Sequence, residues 1–282
     1  MTKSVLQLRN ACRVFSNFNT IMPDFTINSY KELLEALKNQ VYEFQTFEQF
    51  LTHPKERSIV IRHDVDNRPQ NSLETAKIEH EKGIRGTYNF RIVKQSWDPQ
   101  IIKEISDMGH EIGYHYEEMA THKGDHKEAI KAFRQNLSKL RKLARVRTIC
   151  MHGSPTSKHD SRDLWKTYKY QDEEIIGEPY FDVNYANILY LTDTGRRWDG
   201  NKVSIRDKVN MQQNQILEEK GYPIRKTKDI IKAAKEKALP DQVMFTIHPQ
   251  RWHSSKIAWM QELILQNLKN LAKRVLVASH QG

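Results

Sequence analysis

Ser58-Ile59-Val60-Ile61-Arg62-His63-Asp64-Val65-Asp66 is the stretch from which the fold is read. Ser58–Ile61 is a β-branched run of the kind that fills a strand buried on both faces of a parallel sheet. It ends abruptly in His-Asp-Val-Asp, and α/β proteins place their chemistry at the C-terminal ends of such strands. Two carboxylates this close repel unless a cation, a proton or a hydrogen-bond network compensates them. The competing reading makes Asp66 and Asn67 the cap of a helix that follows Pro69.

Outward from that stretch the pattern alternates strand and helix. A stripe at Tyr30, Leu33, Leu34 and Leu37 predicts an amphipathic helix. A strand at Val41–Thr46 and a helical turn at Phe47–Leu51 precede the strand Ser58–His63. Beyond it come a helix from about Asn71 to Lys82, a strand at Gly86–Arg91, and a helix carrying Ile101, Ile102, Ile105 and Met108. The strand His110–His115, the helix Asp125–Ala144 and the strand Val146–Met151 follow. Short strands are expected around Tyr180–Val183, Ile188–Leu191 and Val203–Ile205. A helix near Ile230–Ala238, a strand Val243–Ile247 and a final helix with Met260, Ile264, Leu268 and Leu271 close the chain. Unbroken βα units predict one α/β domain over 1–282, barrel-like or doubly wound, with 1–25 as an N-terminal extension.

The chain has 282 residues and a formal charge of +10. Its basic residues are scattered over helices such as Lys127–Arg147, which argues against specific nucleic-acid binding. The charge leaves room for a phosphorylated or nucleotide-linked substrate and for peripheral association with an anionic membrane. Two cysteines, Cys12 and Cys150, form neither a disulfide framework nor a zinc-type pair. No apolar run reaches the ~20 residues of a transmembrane segment, and the first residues lack the apolar centre of a signal peptide. The expectation is a cytoplasmic protein.

Four strand ends carry histidine or aspartate: His63-Asp64-Val65-Asp66, His110 through His115, Met151-His152 and Ile247-His248. In a parallel barrel such ends meet at one rim. An aspartate with two imidazoles suits a divalent metal such as zinc, leaving a coordination position open for water.

Gly109-His110-Glu111-Ile112-Gly113-Tyr114-His115 resembles the Gly-His-Glu-Ile-(Gly/Ala)-x-His segment of the polysaccharide deacetylases, carbohydrate esterase family 4. Gly83–Phe90, Asp64-Val65-Asp66 and Thr246-Ile247-His248 resemble further motifs of that family, in the same order. The resemblance implies a distorted (β/α) barrel of the polysaccharide deacetylase type, one divalent ion and a carbohydrate substrate that loses an acetyl group. Zn2+ is the ion expected from the donor set, and without an evident export signal the expected substrate is an intermediate of surface-polysaccharide biosynthesis. It implies Asp64 as general base, His248 as the acid toward the leaving group, and Asp66 and His115 as metal ligands.

Met119 stands where the family has its second metal histidine; Glu117, Glu118 or His122 could compensate, or His152 could enter from the next strand, and His152 is the ligand expected. The family's Arg-Pro-Pro-Tyr motif is replaced by Met151-His152-Gly153-Ser154-Pro155. Those departures make a catalytically inactive glycan-binding or scaffolding protein the alternative. Tyr114, Trp198 and Trp252 are expected to stack on sugar, and Arg62, Arg91 and Arg251 to bind substrate anions.

Overall fold

A computed structural model describes residues 23–154, 156–199 and 209–279. The chain order is α1 (Ile27–Lys38), β1 (Glu43–Gln45), α2 (Phe47–Thr52), β2 (Ser58–Val65), α3 (Pro69–Glu81), β3 (Thr87–Phe90), α4 (Pro99–Asp107), β4 (Glu111–Tyr116), α5 (Glu118–Thr121), α6 (His126–Arg141) and β5 (Ile149–Met151). It continues through α7 (Pro179–Asp182), β6 (Leu189–Thr192), α8 (Gln212–Glu219), α9 (Thr227–Lys235), β7 (Gln242–Ile247) and α10 (Lys256–Ser279). Among the described residues seven strands form one all-parallel sheet in the order β5-β4-β3-β2-β7-β6, with β1 also on β2.

β2 is the spine. It is buried along its whole length, as its β-branched run requires. On one side it pairs with β7 from Ser58 to His63. On the other, β1 takes its first half (Ser58–Val60) and β3 its second (Arg62–Val65). β5 and β6 are the edges of the curled sheet and do not pair with each other.

Alternation along the strands separates two environments. Outward residues such as Ile59, Ile61, Phe90 and Ile112 join the large clusters beneath the helices. The inner face holds a smaller apolar plug of Phe47, Val60, Tyr185, Ile188, Tyr190 and Met244. Above the plug, the inner positions become polar: Arg62 and Asp64, Asn89, His115 and Cys150.

Most predicted elements are present within a few residues, and β2 runs two residues further than expected. Tyr180–Val183 is a helical turn, not a strand: Pro179 fits the first helical position and Glu178 caps it, accepting from the Tyr180 amide at 2.6 Å. Val203–Ile205 and the proposed extension up to residue 22 lie outside the described residues.

The Gly109–His115 segment divides its labour. His110 accepts the Gly86 amide on Nδ1 (3.0 Å) and donates from Nε2 to the Ala76 carbonyl (3.0 Å), so it staples α3 to β3. Glu111 accepts from Thr87, Thr148 and the Glu48 amide beneath the site. Gly113 lies under the Asn89 side chain, and a Cβ there would collide with Asn89 Oδ1 and press on Thr148 Oγ1 at 3.3 Å. Gly113→Ala should therefore cost about 1–3 kcal/mol of stability and pull Asn89 out of register. Denaturant unfolding checks the first effect. A midpoint unchanged from wild type would contradict the packing.

Candidate metal and acyl-transfer site

Asp64 and Asp66 lie on one side of β2 because Val65 stands between them, fully buried among the outer-core residues. The chain bends after Val65, with the Asp66 amide on the Asp64 carbonyl (3.1 Å). The Asp66 carboxylate then faces three imidazoles. Its Oδ1 is 3.5 Å from His115 Nε2 and 3.4 Å from His152 Nε2, and its Oδ2 is 3.9 Å from His248 Nε2.

The hydrogen bonds fix which atoms point at the centre. His115 Nδ1 donates to the Cys150 carbonyl (2.9 Å) and His152 Nδ1 to Glu117 Oε2 (2.8 Å). Both histidines thereby present Nε2 toward Asp66, and outer partners of this kind orient metal-binding imidazoles. Asp66 Oδ2 accepts from Gln250 Nε2 (3.0 Å), whereas Oδ1 is buried without a hydrogen-bond partner. Orphaned buried carboxylate oxygens are costly and call for an explanation. The ligand atoms of Asp66, His115 and His152 lie within 4.8 Å of one another. Bonds of ~2.0–2.2 Å to a tetrahedral ion would separate ligand atoms by about 3.4 Å, which matches the two measured edges. These three residues could hold a divalent cation of the zinc type.

A second cluster, Asp64, His115 and Cys150, shares His115. It is the poorer cation site, because the Arg62 guanidinium lies 3.0 Å from Cys150 Sγ. Burial pushes the Cys150 thiol up to about 11, away from the thiolate a metal would need.

On the far side of Asp66, His248 Nδ1 donates to Asp193 Oδ1 (2.6 Å), leaving Nε2 facing the centre. Asp193 is fully buried and also accepts from the His248 amide, Arg251 Nη1 (2.6 Å) and Trp252 Nε1 (2.9 Å). Asp64 accepts from Asn89 Nδ2 (3.0 Å) and lies 3.9 Å from Arg62 Nη2.

Electrostatics follow from this packing. Burial alone would raise the Asp66 carboxyl, but the imidazoles of His115, His152 and His248 hold it well below the usual range. Asp64 is likewise lowered against its burial by His115, Arg62, His248 and Asn89. Burial disfavours a charged His115, yet Asp64 and Asp66 raise it well above an ordinary histidine. Glu117 resists burial and falls to about 2 beside His152 and Arg91.

Asp64, Asp66, His115, His152 and His248 are thus brought together. Several expected substrate residues are not, and the reason is alternation or burial. Tyr114 neighbours His115 and so points outward, with its hydroxyl on Glu118. Trp198 and Trp252 pack with Phe25 in the outer core. Arg62 is only 1% exposed, sealed below Asp64. Arg251 is buried on Asp193. Arg91 stays at the rim but is paired with Glu117 at 2.6 Å. Met119 turns into α5 and packs in the core. Glu118 and His122 bond locally instead of entering the site. Asn89, Glu117, Asp193 and Gln250 act at the site without having been assigned these roles. Asp193 had a usable signal, as a carboxylate directly after the strand that ends at Thr192.

No protein-family model and no curated protein matches the sequence. Among solved structures the chain is similar to a carbohydrate esterase family 4 pseudoenzyme from Bacillus anthracis (15% identity, TM-score 0.37, covering 78% of this chain and 63% of that one). It is also similar to a Streptococcus mutans family 4 esterase (10% identity, TM-score 0.40, 83% and 86%). A third is the peptidoglycan deacetylase PdaC from Bacillus subtilis (11% identity, TM-score 0.38, 79% and 99%). The chain spans less than two thirds of the first of these structures. The reading of the site rests on its own geometry.

Two proton-linked outcomes follow. Asp64 and Asp66 favour a protonated His115 when no metal is bound, so zinc binding should release protons. Calorimetry in buffers of different ionisation enthalpy measures this, and zero release would contradict the site. The raised His115 contributes stability to the metal-free protein that is full below its unfolded pKa and is lost as pH rises through its folded pKa. The lowered Asp64 and Asp66 contribute stability present above their unfolded pKa and lost as pH falls through their folded values. Metal-free thermal stability should therefore peak between these windows.

Proposed function

We propose that this chain is a metal-dependent hydrolase that removes an acetyl group from an amino sugar or O-acetylated sugar. The observation that carries the proposal is the unpartnered Asp66 Oδ1 facing two imidazoles whose other nitrogens are already committed. The sugar as substrate class comes from the resemblance of the Gly109–His115 segment to polysaccharide deacetylases. Zn2+ is the ion that two imidazoles and one carboxylate suit best.

Asp66, His115 and His152 would hold the ion, with Gln250 fixing the rotation of the Asp66 carboxylate. Bound there, a divalent ion supplies Lewis-acid polarisation of the acyl carbonyl and activation of water. The chain's own groups handle the protons. Asp64, kept ionised by its surroundings, accepts one from the attacking water. His248, oriented through Nδ1 by Asp193, presents Nε2 to protonate the departing amine or alkoxide. Asp193 stabilises the imidazolium while that proton waits, the role a buried carboxylate has behind a catalytic histidine.

Acetate release from acetamido and O-acetyl sugars by zinc-loaded protein tests the reading. Asp64→Asn should lower kcat by about 10²–10⁴-fold while zinc still binds. Asp66→Ala should abolish both zinc binding and turnover. Asp193→Asn should lower kcat with KM little changed. Zinc binding with no acetate release from any such sugar would favour the glycan-binding alternative. Acetate release unaffected by Asp66→Ala would remove the metal from the mechanism.

A further inference from the structure

α10 is built inside out at its start. A helix on a globular domain normally turns its apolar stripe inward. Here Glu262 and Gln266 are buried on the protein side, while Ile257 (73% exposed), Met260 (50%), Ile264 (54%) and Leu265 (47%) face outward. The inward face is held by polar contacts: Trp259 Nε1 donates to the Asp24 carbonyl (2.7 Å), and Arg68 Nη1 lies 4.0 Å from Glu262. Ile257, Met260 and Ile264 recur at helical spacing, so they form one contiguous stripe.

The ionisable residues of this helix are mainly of one sign in sequence. Residues 256–279 contain Lys256, Lys269, Lys273 and Arg274, and their single acid is Glu262, which is turned inward. Pairing this face with a second copy would bring two such basic helices together with no outward acid to balance them. An anionic bilayer supplies both an apolar layer for the stripe and counter-charge for the basic residues. No helix among the described residues is long and apolar enough to cross a membrane, so the stripe would lie in the interface.

We propose that the outward face of the first turns of α10 docks on the surface of an anionic membrane. The helix follows closely on His248, and its Glu262 pairs with Arg68, two residues beyond Asp66. Docking would therefore set the rim that carries the site beside the headgroup layer, where a sugar carried on a lipid is presented. The docking itself does not depend on the hydrolase reading.

Co-sedimentation of the full chain with phosphatidylcholine vesicles, with and without phosphatidylglycerol, tests it without turnover. Binding should require phosphatidylglycerol and weaken with salt. Combining Ile257→Glu, Met260→Glu and Ile264→Glu should lower binding at least about tenfold, with acetate release from a soluble sugar unchanged. Lys256→Glu, which leaves the stripe intact, should weaken binding to a smaller extent. Wild-type protein that stays in the supernatant with both vesicle types overturns the proposal, as does undiminished binding by the triple variant. A dimer in solution that the triple variant dissociates, with no vesicle binding by wild type, assigns the face to a second copy instead. Loss of hydrolysis together with normal vesicle binding would sink only the hydrolase reading.

Discussion

Asp64 near the end of β2 and Asp66 just past it, where the chain bends, direct their carboxylates into the same space on the inner face of the curled sheet. Asp64 and Asp66 are both mostly withdrawn from water, so their mutual repulsion is poorly screened. Much of the surrounding structure is arranged to offset it. Arg62 lies below, His115, His152 and His248 lie around, and Asn89 and Gln250 donate from neighbouring elements. One carboxylate oxygen, Asp66 Oδ1, is left without a hydrogen bond. That residual demand is what suits the centre to a cation and distinguishes it from a satisfied polar core.

Support for the site extends a second layer outward. Gly113 on β4 leaves room for the Asn89 amide oxygen, while the same amide donates from Nδ2 to Asp64 on the opposite neighbour, β2. Asp193 is gripped by Arg251 and Trp252, so it has little freedom except to orient His248. Glu117 links His152 to Arg91 and ties the rim of β4 to that of β3. Held in this way, imidazoles lose little orientational freedom when they act, the condition for preorganised catalysis. His152 comes from the end of the strand next to His115, not from position 119 as the sequence spacing of the resembled family implies.

The strand ends were legible because a buried β-branched run followed by histidine or aspartate has few structural uses. That signal singled out Asp64, Asp66, His115, His152 and His248, which the fold brings together. It failed for Tyr114, Trp198 and Trp252 because an aromatic near a rim can point to either side of the sheet. Tyr114 is one residue out of phase with His115, and both tryptophans are needed to fill the outer core. Arg62 is in phase, but two residues too deep to meet a ligand. Asn89 and Gln250 carry no signal in isolation; their roles come from donating across strands to carboxylates far away in sequence.

The sequence by itself determined the repeating βα architecture, the spine strand and the residue types of the site, since these follow from hydrophobic periodicity and from where polar groups interrupt it. The tertiary structure alone decided which nitrogen each histidine presents, which acid stands behind His248, and why Val65 between the two aspartates is no defect. It places Val65 in the outer core, so the carboxylates on either side converge inward. Such facts depend on cross-strand register and on hydrogen-bond partners tens to hundreds of residues away, which local sequence pattern does not encode.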